Sequence, residues 1–423
     1  MNKIIAFWLV FFFFSSVEGQ TVPSPELRIQ TFEKVWQTVN DNHFDPNFGG
    51  VDWKKIGETY KSKVILAKNE TEFYSALQDM LNELHQSHFS VIPPNAQITP
   101  TIFGDGEIGI NLRMIENQAV ITRIDANSTA AQSGLRSGFI IKRINEKTVT
   151  EILAPLEEKL ALRKITNAQK MQRKTRALLS VLSGKIGSLV KIEAIDEKNK
   201  IRTFQIERTA FSGEMSPALG GLPAQRIIFE STRLPSNIGY IRFNIWVLPQ
   251  MAKLQEALKI LNNARGIIID LRGNPGGFGA MTTGLAGLLV QAETSLGTNK
   301  NRTEETNLIV YPQENSFKGN LIILADSETG SASEVFTAGM QGIKRAKVIG
   351  ETTAGAVLPS VIEKLPTGAT FLYAIADYKS PDKTLIEGRG VKPDIEVKLT
   401  RKSLLKGQDL QLETAIKEIL KKK

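Results

Sequence analysis

The stretch Ser327 to Val357 reads SETGSASEVFTAGMQGIKRAKVIGETTAGAV. Just before it, Leu321-Ile-Ile-Leu-Ala325 is a continuous apolar run of strand type, and a short polar turn leads to Ser331-Ala-Ser-Glu334. A small-residue helix of the type Val335-Phe-Thr-Ala-Gly-Met340 follows, then a second strand, Ala346-Lys-Val-Ile-Gly350, and a glycine-containing loop. Strand, helix, strand in that order predicts a parallel crossover, and open sheets of this kind carry their chemistry at strand-to-helix turns. Ser331 sits at such a turn. Ser331-x-x-Glu334 has the form of a capping box, in which both side chains satisfy free helix N–H groups. The same turn could set backbone N–H groups beside a nucleophilic hydroxyl, as an oxyanion hole requires. Both readings stand at this point.

Outward from this unit the chain alternates strands and helices. Ile238 to Phe243 reads as a strand and Leu248 to Asn263 as a helix. Gly266 to Asp270 is a fully apolar strand ending in Leu271-Arg-Gly-Asn-Pro-Gly-Gly277, with a helix expected to about Gln291. The glycines can make a tight turn, or let backbone N–H groups approach a substrate carbonyl. Strands follow around Val361 to Leu365 and Thr370 to Asp377, then a loop, Glu387 to Asp394, and a C-terminal helix near Asp409 to Leu420. Continuous apolar strands between helices argue for a sheet covered on both faces.

Leu27 to His88 is helical in pattern. Phe32, Val35, Trp36 and Val39 recur at helical spacing, Trp53 to Val64 resumes the pattern, and Phe73 to Leu84 is a third helix capped by Thr71 or Asn69. It ends in Leu84-His-Gln-Ser-His88. Gly106 to Val149 turns to short strands, Thr150 to Leu182 is helical and basic, and Ser188 to Arg208 reads as a hairpin. A Gly/Pro-rich connector, Ser212 to Pro223, marks a boundary.

With 423 residues, 41% hydrophobic and 23% charged, the chain is a folded protein of two or three domains. Its 53 Lys and Arg residues are offset by 44 acidic ones to a net charge of +9, and no Lys/Arg block is interleaved with aromatics, so no nucleic-acid partner is expected. Met1 to Gln20 has the layout of an export signal: Lys3, an apolar run from Ile4 to Phe14, then small and polar residues to Gly19. The run is short for a bilayer span, which needs about 20 apolar residues. Cleavage near Gly19 is expected, leaving no membrane span; an uncleaved anchor is the alternative. The sequence contains no cysteine, which excludes disulfides, thiolate metal sites and lipoprotein-type attachment. A periplasmic or secreted location fits. His85 and His88 lack an HExxH-like set and no nucleotide-binding glycine motif occurs, so neither a metal nor a cofactor is expected.

Three segments together resemble the S41 family of serine peptidases, the C-terminal processing (tail-specific) and tricorn-core group. They are Ile267-Ile-Ile-Asp-Leu-Arg-Gly-Asn-Pro-Gly-Gly277, Gly330-Ser-Ala-Ser-Glu-Val335 with Val348-Ile-Gly-Glu-Thr-Thr-Ala-Gly355, and Gly390-Val-Lys-Pro-Asp-Ile395. The resemblance implies an α/β fold: a crotonase-like ββα core with a mixed sheet, an N-terminal helical domain, and an inserted, mostly-β PDZ-like domain. The implied boundaries are 1–19 for the signal, 20–100 for the helical domain, 101–211 for the PDZ-like domain with its helical insert, 212–400 for the catalytic domain and 401–423 for the C-terminal helix. Glu107, Ile108, Gly109 and Ile110 match the PDZ carboxylate-binding loop, while Phe139 departs from the Asp usual after the glycine.

Processing peptidases of this family place a dyad lysine just after the glycine of the segment matching Gly350 to Gly355; here that residue is Ala356. A methyl group accepts no proton. The tricorn-like branch resembles this chain in having Ser-His after an N-terminal helix, here Ser87-His88, and a glutamate before the late Gly-Val-x-Pro-Asp motif, here Glu387. The resemblance then implies Ser331 as nucleophile, His88 as general base, and Glu387 supporting the imidazole through Ser87. The N–H of Ala332 and one from Gly276 or Gly277 would form the oxyanion hole. The expected activity is hydrolysis of peptide bonds in a peptide or protein substrate; the alternative is a catalytically inactive peptide- or ligand-binding scaffold of the same fold.

Overall fold

The computed structural model describes residues 23–94, 106–161, 163, 165–211 and 213–421. The expected signal at 1–19 lies outside them, and no helix among the described residues is long and apolar enough to cross a membrane. The fold is mixed α/β. Its centre is a six-stranded sheet in the order Phe229–Leu234, Ile238–Phe243, Gly266–Asp270, Asn320–Ala325, Lys347–Gly350, Ile395–Glu396. The first pair is antiparallel and every other pair parallel.

Side chains alternate across a strand, so a wholly apolar strand must feed two cores. Ile267, Ile269, Leu321 and Ile323 enter one core, under the helices Leu248–Ile260, Ala280–Gly287 and Ala332–Gly342. Ile268, Ile322 and Leu324 enter the other, closed by Ala415 and Ile419 of the C-terminal helix Leu410–Leu420. The helix expected to reach Gln291 stops at Gly287.

The N-terminal helices Pro25–Asn42, Trp53–Ile65 and Glu70–Asn82 share a core with a separate three-stranded sheet. Asn69, not Thr71, caps the third helix, accepting a bond from the N–H of Glu72. In that sheet Ser90–Ile92 pairs antiparallel with Thr370–Ala374, which pairs in turn with Ser360–Lys364. The pairing is decisive for position, because it ties the segment after His88 to the strands that follow the 350–357 loop.

Residues 106–211 form a third unit around a sheet ordered Ile110–Ile115, Gln118–Ile124, Ile140–Ile144, Leu189–Ile195, Ile201–Glu207. The basic helical stretch divides into two helices, Val149–Ala161 and Asn167–Leu182, the second packed against Ile110–Ile115. Phe139 is fully buried in this unit's core, with its ring 6.4 Å from that of Phe204.

Candidate active site

Ser331 stands between the strand Asn320–Ala325 and the helix Ala332–Gly342 with φ 52° and ψ −122°. A non-glycine residue there is strained and persists only where its surroundings enforce it. The enforcement is visible. Asp326 Oδ1 accepts the N–H groups of Gly273 and Glu328, both at 3.0 Å. Thr329 Oγ donates to the Leu271 carbonyl at 2.9 Å, and the Gly330 N–H bonds the Asn274 carbonyl at 3.1 Å. The Ser331 N–H itself bonds the Ala356 carbonyl at 2.8 Å.

The capping box expected from Ser331-x-x-Glu334 does not form. Ser331 makes no side-chain cap bond, which leaves its hydroxyl uncommitted to the helix. The fully buried Glu334 turns instead to the 353–356 loop. It accepts the Thr353 hydroxyl and the N–H groups of Gly355 and Ala356, at 2.7 and 2.8 Å. Burial pushes its pKa up to about 7, against those donors, which favour the charged form. Glu334→Leu strips the acceptor from three donors, two of them buried. It is expected to cost on the order of 3–5 kcal/mol, read as a lowered denaturation midpoint.

Ser331 Oγ lies 3.2 Å from His88 Nε2, across 243 positions of sequence. His88 Nδ1 lies 2.7 Å from Ser87 Oγ, and Ser87 Oγ lies 2.9 Å from Glu387 Oε2. The N–H of Ser87 donates to Glu387 Oε1 at 2.8 Å and that of Val357 to Oε2 at 3.0 Å. One proton assignment satisfies the whole chain: the Ser331 hydroxyl donates to Nε2, Nδ1–H to the Ser87 hydroxyl, and Ser87 to the carboxylate. The glutamate therefore reaches the imidazole through a hydroxyl and makes no direct bond to it. Burial lowers the His88 pKa to about 4 and raises that of Glu387, against the donors around it. His88 also has positive φ, 59°, and Gln78 fixes its neighbour by bonding the Phe89 carbonyl and the Val91 N–H, both at 3.1 Å.

The other histidines are elsewhere. His43 is fully buried, bonded at 2.8 Å to Gln86 and to the Asp45 carbonyl, and His85 is exposed. Two lysines close in sequence, Lys344 and Lys347, serve elsewhere. Lys347 pairs with Glu418 at 3.3 Å, and Lys344 ends the helix turn at positive φ. Ala356 contributes only backbone, its N–H to Glu334 and its carbonyl to Ser331.

Of the three N–H groups expected at an oxyanion hole, that of Gly276 is taken by Asn274 Oδ1 at 3.0 Å. Those of Ala332 and Gly277 have no acceptor among the described residues. A Cβ on Gly276 would sit 2.6 Å from Ser331 Cβ, so only glycine lets this loop approach the serine. Glu107, Ile108, Gly109 and Ile110 do not join this cluster; they line a neighbouring cavity between the 106–211 unit and the central sheet. Sequence reading missed the clamp from the helix Asn167–Leu182. Thr166 Oγ bonds the Ala354 carbonyl at 3.2 Å and Gln169 Nε2 the Gly355 carbonyl at 2.8 Å. Thr166-x-x-Gln169 also forms the capping box of that helix, the one local signal that could have pointed there.

The Peptidase family S41 profile matches residues 237–397, and that of the Tricorn protease C1 domain matches residues 25–82. A carboxyl-terminal-processing protease of Synechocystis sp. is 27% identical over 368 residues, 85% of this chain and 78% of that protein. The solved photosystem II D1 C-terminal processing protease aligns with a TM-score of 0.58 at 20% identity, covering 91% of this chain and 97% of that one. Mature CPAF aligns with a TM-score of 0.62 at 14% identity, covering 93% and 96%. These two structures are similar to this chain in fold.

Proposed function

This chain belongs to peptidase family S41 and is a serine-type peptidase, and we propose that it cuts peptide bonds outside the cytoplasm by a Ser331–His88–Glu387 mechanism relayed through Ser87. The observation that carries the reading is the 3.2 Å contact between Ser331 Oγ and His88 Nε2. Ser331 Oγ attacks the scissile carbonyl while its proton passes to Nε2; the imidazolium then protonates the leaving amine. Water, deprotonated by the same nitrogen, releases the acyl group. Glu387 stabilises the imidazolium through Ser87 without itself taking the proton. The N–H groups of Ala332 and Gly277 face the developing oxyanion. This refines the expected choice between Gly276 and Gly277.

In this reading residues 1–19 are a removable export signal, the six-stranded sheet is the crotonase-like core, and residues 106–211 are a PDZ-like unit that presents substrate C-termini. A free Ser331 hydroxyl on a strained turn, in reach of an imidazole, also speaks against the silent scaffold.

A fluorophosphonate probe tests the site. One equivalent should attach at Ser331, and no labelling of folded protein would overturn the proposal. The pH dependence is a sharper readout. With the His88 pKa at about 4, the imidazole stays neutral well below the ordinary histidine value near 6.5. The acid limb of the labelling rate should therefore lie below pH 6.5, and a limb centred at or above it contradicts the assignment. Stability follows with a definite sign. Between pH 6.5 and 4 the unfolded chain binds a proton at His88 that the folded chain refuses, so this group's contribution is lost as pH falls through that window.

A further inference from the structure

The cavity between the 106–211 unit and the central sheet encloses about 750 Å³. Six arginines line it, and five are neutralised. Arg113 pairs with Asp326 at 3.2 Å, Arg123 and Arg242 share Glu230 at 2.5 and 2.9 Å, Arg226 holds Glu107, and Arg272 lies between Asp270 and Asp409 at 2.5 and 2.8 Å. Arg176 has no carboxylate in ion-pair reach among the described residues. It sits on the helix Asn167–Leu182, on the face that also turns Leu179 and Leu182 to the cavity.

A second unpartnered group faces the same space. Glu328, only 7% exposed and three residues before Ser331, has a buried Oε1 with no hydrogen-bond partner. Leaving such an oxygen unbonded is costly, which makes it a candidate for a ligand's donor. Glu328 and Arg176 are near enough for the Arg176 charge to act on the carboxyl, yet they make no ion pair. A phosphate ligand would meet repulsion from Glu328, and a lone cation would meet Arg113 and Arg176. A group that accepts at one end and donates at the other fits both. The backbone on this side is suited to a peptide. Ile110–Ile115 is an edge strand of its sheet, and the N–H groups of Ile108 and Gly109 have no acceptor among the described residues. An extended chain can add there as a strand.

We propose that this cavity selects an acidic residue in an extended peptide, its side-chain carboxylate bound by Arg176 and its backbone N–H accepted by Glu328 Oε1. The inference deepens the peptidase reading by naming a substrate class, but its test needs no turnover, so it fails or stands independently of Ser331 labelling.

The test is fluorescence anisotropy on the full chain carrying Ser331→Ala. The probes are labelled decapeptides of Ala, Ser and Gly with one glutamate at each of the last four positions in turn. Matched glutamine peptides and the C-terminal amides of all of them are run alongside. At one position glutamate should bind about tenfold tighter than glutamine, the scale of one charge-assisted bond. Arg176→Gln should erase that preference while leaving the glutamine peptides unchanged. Glu328→Ala should weaken both peptide sets alike, because the backbone N–H is common to them. Equal binding of glutamate and glutamine peptides at every position overturns the proposal, as does a preference that survives Arg176→Gln. Loss of affinity on amidation without any glutamate preference also overturns it, since the carboxylate recognised is then the chain terminus.

Discussion

Ser331→Ala and His88→Ala are each expected to lower kcat for peptide hydrolysis on the order of 10⁵–10⁶-fold, with the double variant little worse than either. The non-additivity is the informative part. If the serine hydroxyl and the imidazole act as one unit, removing the first leaves the second nothing to deprotonate. If they acted separately, the losses would multiply. Neither substitution should unfold the chain. Ser331 places its backbone N–H on the Ala356 carbonyl and its hydroxyl only on His88, so alanine keeps the turn's hydrogen bonds. His88 follows a helix whose core residues, Phe73, Leu77 and Leu81, are buried without it. Thermal melts near the wild-type value, with hydrolysis gone, are the expected pair of results. Substantial hydrolysis by either single variant ends the assignment.

What could be read in advance was set by local pattern. The apolar runs Ile267 to Ile269 and Leu321 to Ala325 announce a two-faced sheet because each alternate residue must be buried somewhere, and both cores are present. Ser331 was legible as a turn residue, and with alanine at position 356 the resemblance implies His88 as the base. Three things were not legible. The fate of Glu334 depends on where the 353–356 loop lies, and that is fixed by long-range packing. A three-residue spacing therefore suggested a cap where the chain built a loop anchor. The choice between Gly276 and Gly277 depends on which N–H the side chain of Asn274 captures, a contact two residues away with no periodic signature. The clamp from Thr166 and Gln169 spans 188 and 186 positions; the capping box marks the start of its helix but not the loop that it holds.

Ser87→Ala isolates the relay. The backbone N–H of Ser87 still reaches Glu387 Oε1, and Val357 still reaches Oε2, so the carboxylate stays in place and the fold should hold. What disappears is the hydroxyl between Nδ1 and Glu387, at 2.7 Å from one and 2.9 Å from the other. The imidazole then loses both the acceptor that selects its reactive tautomer and its link to the negative charge. Losing the orienting member of a triad costs roughly 10⁴-fold in kcat, and a similar loss is expected here with KM little changed. Ser87→Thr keeps the hydroxyl and should recover most of the rate, which a purely structural role would not require. The acid limb should move as well. Without the carboxylate's support the imidazolium is harder to form, so the His88 pKa falls further and the limb shifts to lower pH. If Ser87→Ala instead leaves kcat within about tenfold of wild type, Glu387 is a loop anchor. Its bonds to Ser87 and Val357 would then be its whole purpose.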